Sequence, residues 1–371
     1  MRKTILIAVF LIAESLCFAQ SMPPSPTPTP PVSDPQEKVK VFTEEVALSV
    51  SAVANSGHLS VLDPQDVLVF EDDVRQTVRS VRRLPANVLL ALDTGGELNP
   101  AMRVSVTREI ATRLISNLQS GDRIATMQFG SSVELVQPWT TNKDDVLHAL
   151  QTKLISGKRP QLAEALTEAA LQLSQAPAGT RHLVLITDGV DLSGDSSALN
   201  EAIVKLLRGN ITVHVIGYGS LGRKQIDKQN PLIKITNKKR KSATDLAQEI
   251  MDPTAIPEYK KRNKLYLVVD TDFSRRKALE EYKDATKFSE VWLTALAEET
   301  GGLVFMPRSI AEMISPAGEI AREIDSQYVV TYTPKRPLAE SITGEYRRVN
   351  VTSVVGGLTL SARRGYVVGG P

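Results

Sequence analysis

Asp93 closes an apolar run, Val88-Leu89-Leu90-Ala91-Leu92, and Thr94-Gly95-Gly96-Glu97 follows it. Asp188 closes a second run, Leu183-Val184-Leu185-Ile186-Thr187, and Gly189 follows it. Between them Pro160 opens the segment Gln161-Leu162-Ala163-Glu164-Ala165-Leu166. A carboxylate at the end of a buried strand lies on a loop at the carboxyl edge of the sheet, where open α/β sheets bind their ligands. Asp93, Glu97 and Asp188 are hard oxygen donors, so the chemistry open to them is holding a divalent cation or activating water on one. No base or oxyanion element accompanies them, and no Gly-x-Ser-x-Gly elbow or phosphate loop with its lysine is present. The chain therefore reads as non-catalytic, with a metal-assisted hydrolase as the least favoured alternative. His58, His148, His182 and His214 lack metal-ligand spacing, and His182 and His214 read as sheet residues.

Strands and helices must bring the two aspartates together. Val88 to Leu92 and His182 to Thr187 are continuous apolar runs of the kind that form buried parallel strands. Asn99 and Pro100 read as the cap and first turn of a helix carrying Met102, Val106, Ile110, Leu114 and Leu118 at every fourth position. Arg123 to Phe129 and Val133 to Trp139 flank Gly130-Ser131-Ser132, a connection too short for anything but an antiparallel hairpin. Helices are expected over Asp144–Ile155, Pro160–Leu173, Ala198–Leu207, Ser289–Glu299 and Ile310–Ile324, with further strands at Ile211–Gly217 and Leu303–Met306. Strands alternating with helices predict a mainly parallel sheet covered on both faces.

Short alternating runs on either side predict an antiparallel β unit, with strands from both Val39–Leu84 and Gln327–Arg363. The stretch 221–288 is an insertion rich in Lys238, Lys239, Arg240 and Lys241, Lys260-Lys261-Arg262 and Arg275-Arg276-Lys277. Within it lie a strand-like piece, Leu265–Val269, and a helical piece from Ser274 onward. Residues 1–20 read as a signal peptide: Arg2 and Lys3 precede an apolar stretch, and Ala19 offers a cleavage position. An uncleaved anchor is the rival, although Glu14 interrupts the apolar stretch. Residues 21–37 form a proline-rich spacer. The resulting division is 38–85 for the first β segment, 86–325 for the α/β domain and 326–371 for the second β segment.

Of 371 residues 42% are hydrophobic and the net charge is +2, too balanced to imply nucleic acid as a partner. The one cysteine, Cys17, lies within the signal, so the mature fold uses no disulfide.

The order of these elements, with Leu185-Ile186-Thr187-Asp188-Gly189, Ala297-Glu298-Glu299-Thr300-Gly301-Gly302 and Ala362-Arg363-Arg364-Gly365-Tyr366, resembles a von Willebrand factor type A domain. More narrowly it is similar to the exported type A-related proteins frequent in Acidobacteria. The resemblance implies a Rossmann-like three-layer α/β fold. It also implies a divalent-cation site built from Asp-x-Ser-x-Ser on one loop, a threonine on a second and an aspartate on a third. Asp93 and Asp188 keep their places in that pattern. Gly95 and Glu97 replace the serines, and Pro160 stands where the threonine would be.

Two readings remain open at this point. In one, Asp93, Glu97 and Asp188 hold Mg²⁺ or Ca²⁺ with extra waters and support metal-dependent adhesion. In the other, which leads, the site is degenerate: Asp93 and Asp188 serve the backbone of their own turns and Glu97 is solvated. The expected function is then protein–protein binding or cell-envelope scaffolding through a face containing Thr94, Gly95, Pro160 and Gly189. The partner would be another envelope or exterior protein, in the periplasm or outside the cell, with no stable membrane span after signal cleavage. Binding of an anionic polymer through Lys238, Lys239, Arg240 and Lys241 is a further alternative.

Overall fold

A computed structural model describes residues 44–55, 61–96, 100–158, 160–191, 196–229, 233–236, 266–269 and 273–369. The expected signal, spacer and Asn99 cap, the Val39–Phe42 run, Glu97, His58 and the Lys238–Lys241 cluster lie outside the described residues.

In chain order, β1 (Val46–Ala54), β2 (Val67–Glu71) and β3 (Val74–Arg82) lead into β4 (Ala86–Asp93) and α1 (Pro100–Asn117). Next come β5 (Arg123–Phe129), β6 (Val133–Thr140), α2 (Lys143–Thr152), α3 (Leu162–Ser174) and β7 (Thr180–Thr187). The chain continues through α4 (Ser196–Arg208), β8 (Thr212–Gly217), α5 (Gly219–Gln229), β9 (Ile233–Thr236) and β10 (Tyr266–Val269). It then forms α6 (Phe273–Thr300), β11 (Val304–Phe305) and α7 (Ile310–Asp325). It closes with β12 (Gln327–Thr333), β13 (Tyr346–Ser353), β14 (Leu358–Ala362) and β15 (Gly365–Val367).

The central sheet has the order β11-β8-β7-β4-β5-β6 and is parallel except for the β5–β6 hairpin. All eight residues of β4 are buried, because helices cover both faces. Alternation sends Val88, Leu90 and Leu92 into one core with Ile110, Leu114, Val146, Leu150, Met313 and Ile320 of α1, α2 and α7. Leu89 and Ala91 pack into the other, against Leu166, Ala202, Leu206, Leu293 and Leu296 of α3, α4 and α6. This is the three-layer α/β architecture. The register Leu92↔Ile186 and Asp93↔Phe129 brings the ends of β7, β4 and β5 to one edge.

The second sheet is antiparallel and curled, in the order β14-β1-β12-β3-β2-β13-β15. Strands from both chain ends interleave: β12 lies between β1 and β3. Its inner face buries Leu48, Val50, Val69, Val330, Tyr332, Val351 and Leu360. Several contacts fix it to the α/β layer. Ala52 N–H donates to Ser326 O at 3.1 Å, and the buried Arg363 donates to Leu207 O at 2.8 Å and Asn210 Oδ1 at 2.9 Å.

Two differences from the expected elements bear on the site. The helix pieces expected from Ser274 and over Ser289–Glu299 are one helix of 28 residues, α6, with no glycine or proline to break it. The helix expected over Asp144–Ile155 ends at Thr152, where Lys153 N–H caps Ala149 O at 2.8 Å. That stop frees residues 153–158 to run across the carboxyl edge of the sheet.

Candidate functional site

Asp93 is fully buried at the end of β4. Its Oδ1 accepts from Gly95 N–H at 2.9 Å, the turn that aspartate makes with the backbone two residues on. Its Oδ2 accepts from the Thr187 hydroxyl at 2.8 Å, across the β4–β7 pair. Thr187 Oγ1 accepts in turn from Gly189 N–H at 2.9 Å. Asp188 repeats the local device, with Oδ1 accepting from Val190 N–H at 3.0 Å. Its Oδ2 accepts from the Tyr282 hydroxyl at 2.5 Å, which α6 carries across the loop.

Helix α6 also closes over Gly189. Ser289 Oγ donates to Gly189 O at 2.7 Å. Gly189 has φ +77°, and a Cβ there would stand 2.6 Å from Leu293 Cδ1, so the turn needs glycine for both conformation and space. Arg223 of α5 holds the helix in place: its Nη2 reaches both carboxylate oxygens of Glu290 at 2.8 Å, and its Nη1 donates to Thr286 Oγ1 at 3.1 Å.

The second loop closes from the other side. Gly96 N–H donates to Lys158 O at 3.1 Å and Gly157 N–H to Thr94 O at 2.9 Å. A Cβ on Gly95 would lie 2.8 Å from Pro160 N and 2.9 Å from its Cδ. Glycine and proline thus meet where the family pattern has two hydroxyl ligands.

The structure therefore brings Asp93, Gly95, Pro160 and Asp188 together through these contacts. Thr94, Gly95, Pro160 and Gly189 are all buried, so the contact face expected from them is roofed by α6 and the 157–160 turn. Among the described residues, the edge presents Ser131, Ile155 at 60% exposure and Lys158 to solvent. Glu97, Lys238, Lys239, Arg240 and Lys241 lie outside the described residues. Sequence reasoning missed Thr187, Tyr282 and Ser289. A hydroxyl beside Asp188 was a visible signal for Thr187, whereas nothing ties Tyr282 to a loop 94 positions away.

Among the described residues the oxygen donors that a hard divalent cation would draw on are few. Such an ion wants about six oxygens in an octahedron. Each of the four Asp93 and Asp188 carboxylate oxygens already accepts a hydrogen bond from the chain, Gly95 offers no side-chain oxygen, and Pro160 offers neither oxygen nor N–H. Among the described residues no three His, Cys, Asp or Glu side chains are gathered as a metal would need.

The family profile of the von Willebrand factor type A domain matches residues 87–256. An uncharacterised protein of Synechocystis sp. is 27% identical over 143 residues, covering 37% of this chain. The chain spans about a third, 33%, of that relative's length. Among solved structures, a von Willebrand factor type A protein from Catenulispora acidiphila is similar at 13% identity and TM-score 0.41, over 84% of this chain and 74% of that one. An aerotolerance-related membrane protein from Bacteroides fragilis is similar at 14% identity and TM-score 0.36, over 65% and 98%. The manganese-loaded TRAP protein of Plasmodium vivax is similar at 18% identity and TM-score 0.32, over 47% and 61%. Domains of this type mediate protein–protein contact and adhesion, and often hold Mg²⁺ or Mn²⁺. The matched stretch, residues 87–256, takes in the ends of β4 and β7, and over it the chain is similar to a von Willebrand factor type A domain.

Proposed function

We infer that this chain is an exported, non-catalytic protein-binding or scaffold module of the cell envelope, whose contact edge works without a divalent cation. One observation carries the reading: Asp93 and Asp188 each have both carboxylate oxygens engaged by donors of the chain itself. In a metal-dependent adhesion site those oxygens bind or orient the ion, and the ion then takes a carboxylate from the partner. Here Thr187 and Tyr282 supply the positive ends of O–H dipoles instead, so two buried carboxylates stay satisfied with no cation between them. The partner, another protein of the envelope or exterior, would meet the rim formed by Ser131, Ile155 and Lys158. Export is supported by the basic and apolar pattern of residues 1–20. Among the described residues no helix is long and apolar enough to cross a membrane.

Isothermal titration of the full chain with Mg²⁺, Mn²⁺ and Ca²⁺ tests this. The expected result is no saturable heat up to about 1 mM, the weak end of extracellular cation modules. Saturable heat in the wild type that disappears in Asp93→Ala would overturn the reading in favour of metal-dependent adhesion.

A further inference from the structure

The outer face of the curled sheet carries unbalanced charge. In β3 the alternation buries Gln76 and leaves Arg75, Thr77, Arg79 and Arg82 exposed. Arg79 is the extra residue of a bulge, since Thr331 pairs with Ser80 while Tyr332 pairs with Val78. Across the ladders Arg75 stands opposite Phe70 and Arg82 opposite Val329. The other outward positions nearby are Leu68, Thr331 and Thr333, with Arg348, Asn350 and Thr352 on β13. None is a carboxylate. Among the described residues, acidic groups near this face stand at its margins: Asp73 pairs with Arg348 at 3.3 Å, Asp72 with Arg336 at 3.3 Å, Asp325 with Arg83 at 3.2 Å, and Glu45 precedes β1. Among the described residues no carboxylate forms an ion pair with Arg75, Arg79 or Arg82.

Two ordinary reasons for arginine on a strand do not apply here. Charges that guard against edge-to-edge pairing belong on edge strands, and β3 is the fourth of seven. Charges that stabilise a ladder face opposite charges, whereas these face Phe70 and Val329. Like charges gathered on a stiff face repel, and an anion laid along them removes that repulsion.

We propose that this face binds an acidic protein segment, an extended stretch carrying Asp or Glu side chains. Its guanidinium groups suit bidentate capture of carboxylates, and no lysine stands among the outward positions named. Arg75 and Arg82 are seven residues apart, about 23 Å along a strand, so one extended segment spans all three arginines. Thr77 and Asn350 add neutral donors between the charges, and the half-buried Phe70 and Leu68 give a peptide backbone an apolar floor. The proposal rests on the protein-binding reading but places a contact on a different sheet from Asp93. A cation found at Asp93 would therefore defeat the earlier reading and leave this one standing or falling on its own test.

The test is fluorescence anisotropy of labelled poly-L-glutamate with the full chain and with Arg75→Gln/Arg79→Gln/Arg82→Gln. A second triple variant, Arg113→Gln/Lys205→Gln/Arg208→Gln, removes the same charge from exposed helix positions. The expected result is salt-sensitive binding that the first variant weakens at least about tenfold and the second leaves within about twofold, with the thermal midpoint of both variants unchanged. The proposal is overturned if the wild type does not bind, if the first variant binds normally, or if both variants lose affinity equally. It is also overturned if duplex DNA or phosphatidylglycerol vesicles bind the same arginines at least as tightly, since the partner would then carry phosphate.

Discussion

At the scale of single residues, the carboxyl edge is organised by how few atoms its turns allow. Gly95 touches Pro160 so closely that restoring a serine is not a matter of adding one ligand. In Gly95→Ser the new Cβ would press on Pro160 N at 2.8 Å, and replacing Pro160 by threonine leaves that nitrogen in place. Overpacking of this kind costs about 1–3 kcal/mol, so urea unfolding of Gly95→Ser should show a loss in that range. The buried His182 and His214 form a relay whose tautomers the geometry fixes. Leu303 N–H donates to His214 Nδ1 at 3.2 Å, leaving Nε2–H to donate to His182 Nδ1 at 3.2 Å, and His182 Nε2 then donates to Thr180 Oγ1 at 2.9 Å. Burial drives both below the usual histidine range, His214 to about 3, and His214 lowers His182 further. Because the folded values lie below the unfolded ones, the unfolded chain takes up protons first. Stability is then intact above about pH 6.5 and falls as pH drops toward 3, by about 3 kcal/mol at pH 4 from His214 alone. Buried Asp122 and half-buried Glu323, whose carboxyls desolvation pushes up, act in the opposite direction. The informative quantity is therefore a difference of slopes: His214→Leu should lose less stability between pH 7 and pH 4 than the wild type. An equal loss would place the acid sensitivity elsewhere.

At the scale of elements, legibility in the sequence followed burial. Strands β4 and β7 were readable because they are buried on both faces and so become unbroken apolar runs. Their terminal aspartates could be placed for the same reason. Helix α6 was not readable as a whole. Its first half follows a basic segment, and the first buried residues along it are the polar Thr286 and Ser289, which face polar partners. Tyr282 and Ser289 therefore gave no apolar periodicity to connect them with Asp188 and Gly189. The curled sheet was foreseeable as a union of both chain ends, but not the place of β12 between β1 and β3, since strand order depends on long-range pairing. Nor did alternation reveal what holds its interior. Arg347 is fully buried and bonds Glu71 at 2.6 Å, while the Tyr332 and Tyr366 hydroxyls donate to the other Glu71 oxygen at 2.6 and 2.8 Å. Burial, with the Glu71 carboxylate alongside, pushes both phenols well above the usual tyrosine range. Arg347→Ala would strand Glu71 and should cost about 3–5 kcal/mol by denaturant unfolding. Arg347→Met combined with Glu71→Gln should cost less, because no charge is left buried alone.

For the whole molecule, the arrangement joins the α/β layer to a curled sheet in which β12 lies between β1 and β3. Thr94, Gly95, Pro160 and Gly189 are buried, so the surfaces proposed for a partner are the rim at Ser131, Ile155 and Lys158 and the arginine face of β3. The central proposal is that Asp93 and Asp188, each held by a hydroxyl of the chain, bind no divalent cation between them. The most direct measurement is a crystal structure of the full chain grown in millimolar Mn²⁺, with anomalous scattering used to locate the metal. The account predicts no manganese peak between Asp93 and Asp188, with the Tyr282 hydroxyl still on Asp188. A manganese ion coordinated by both carboxylates, with Tyr282 displaced, would contradict it.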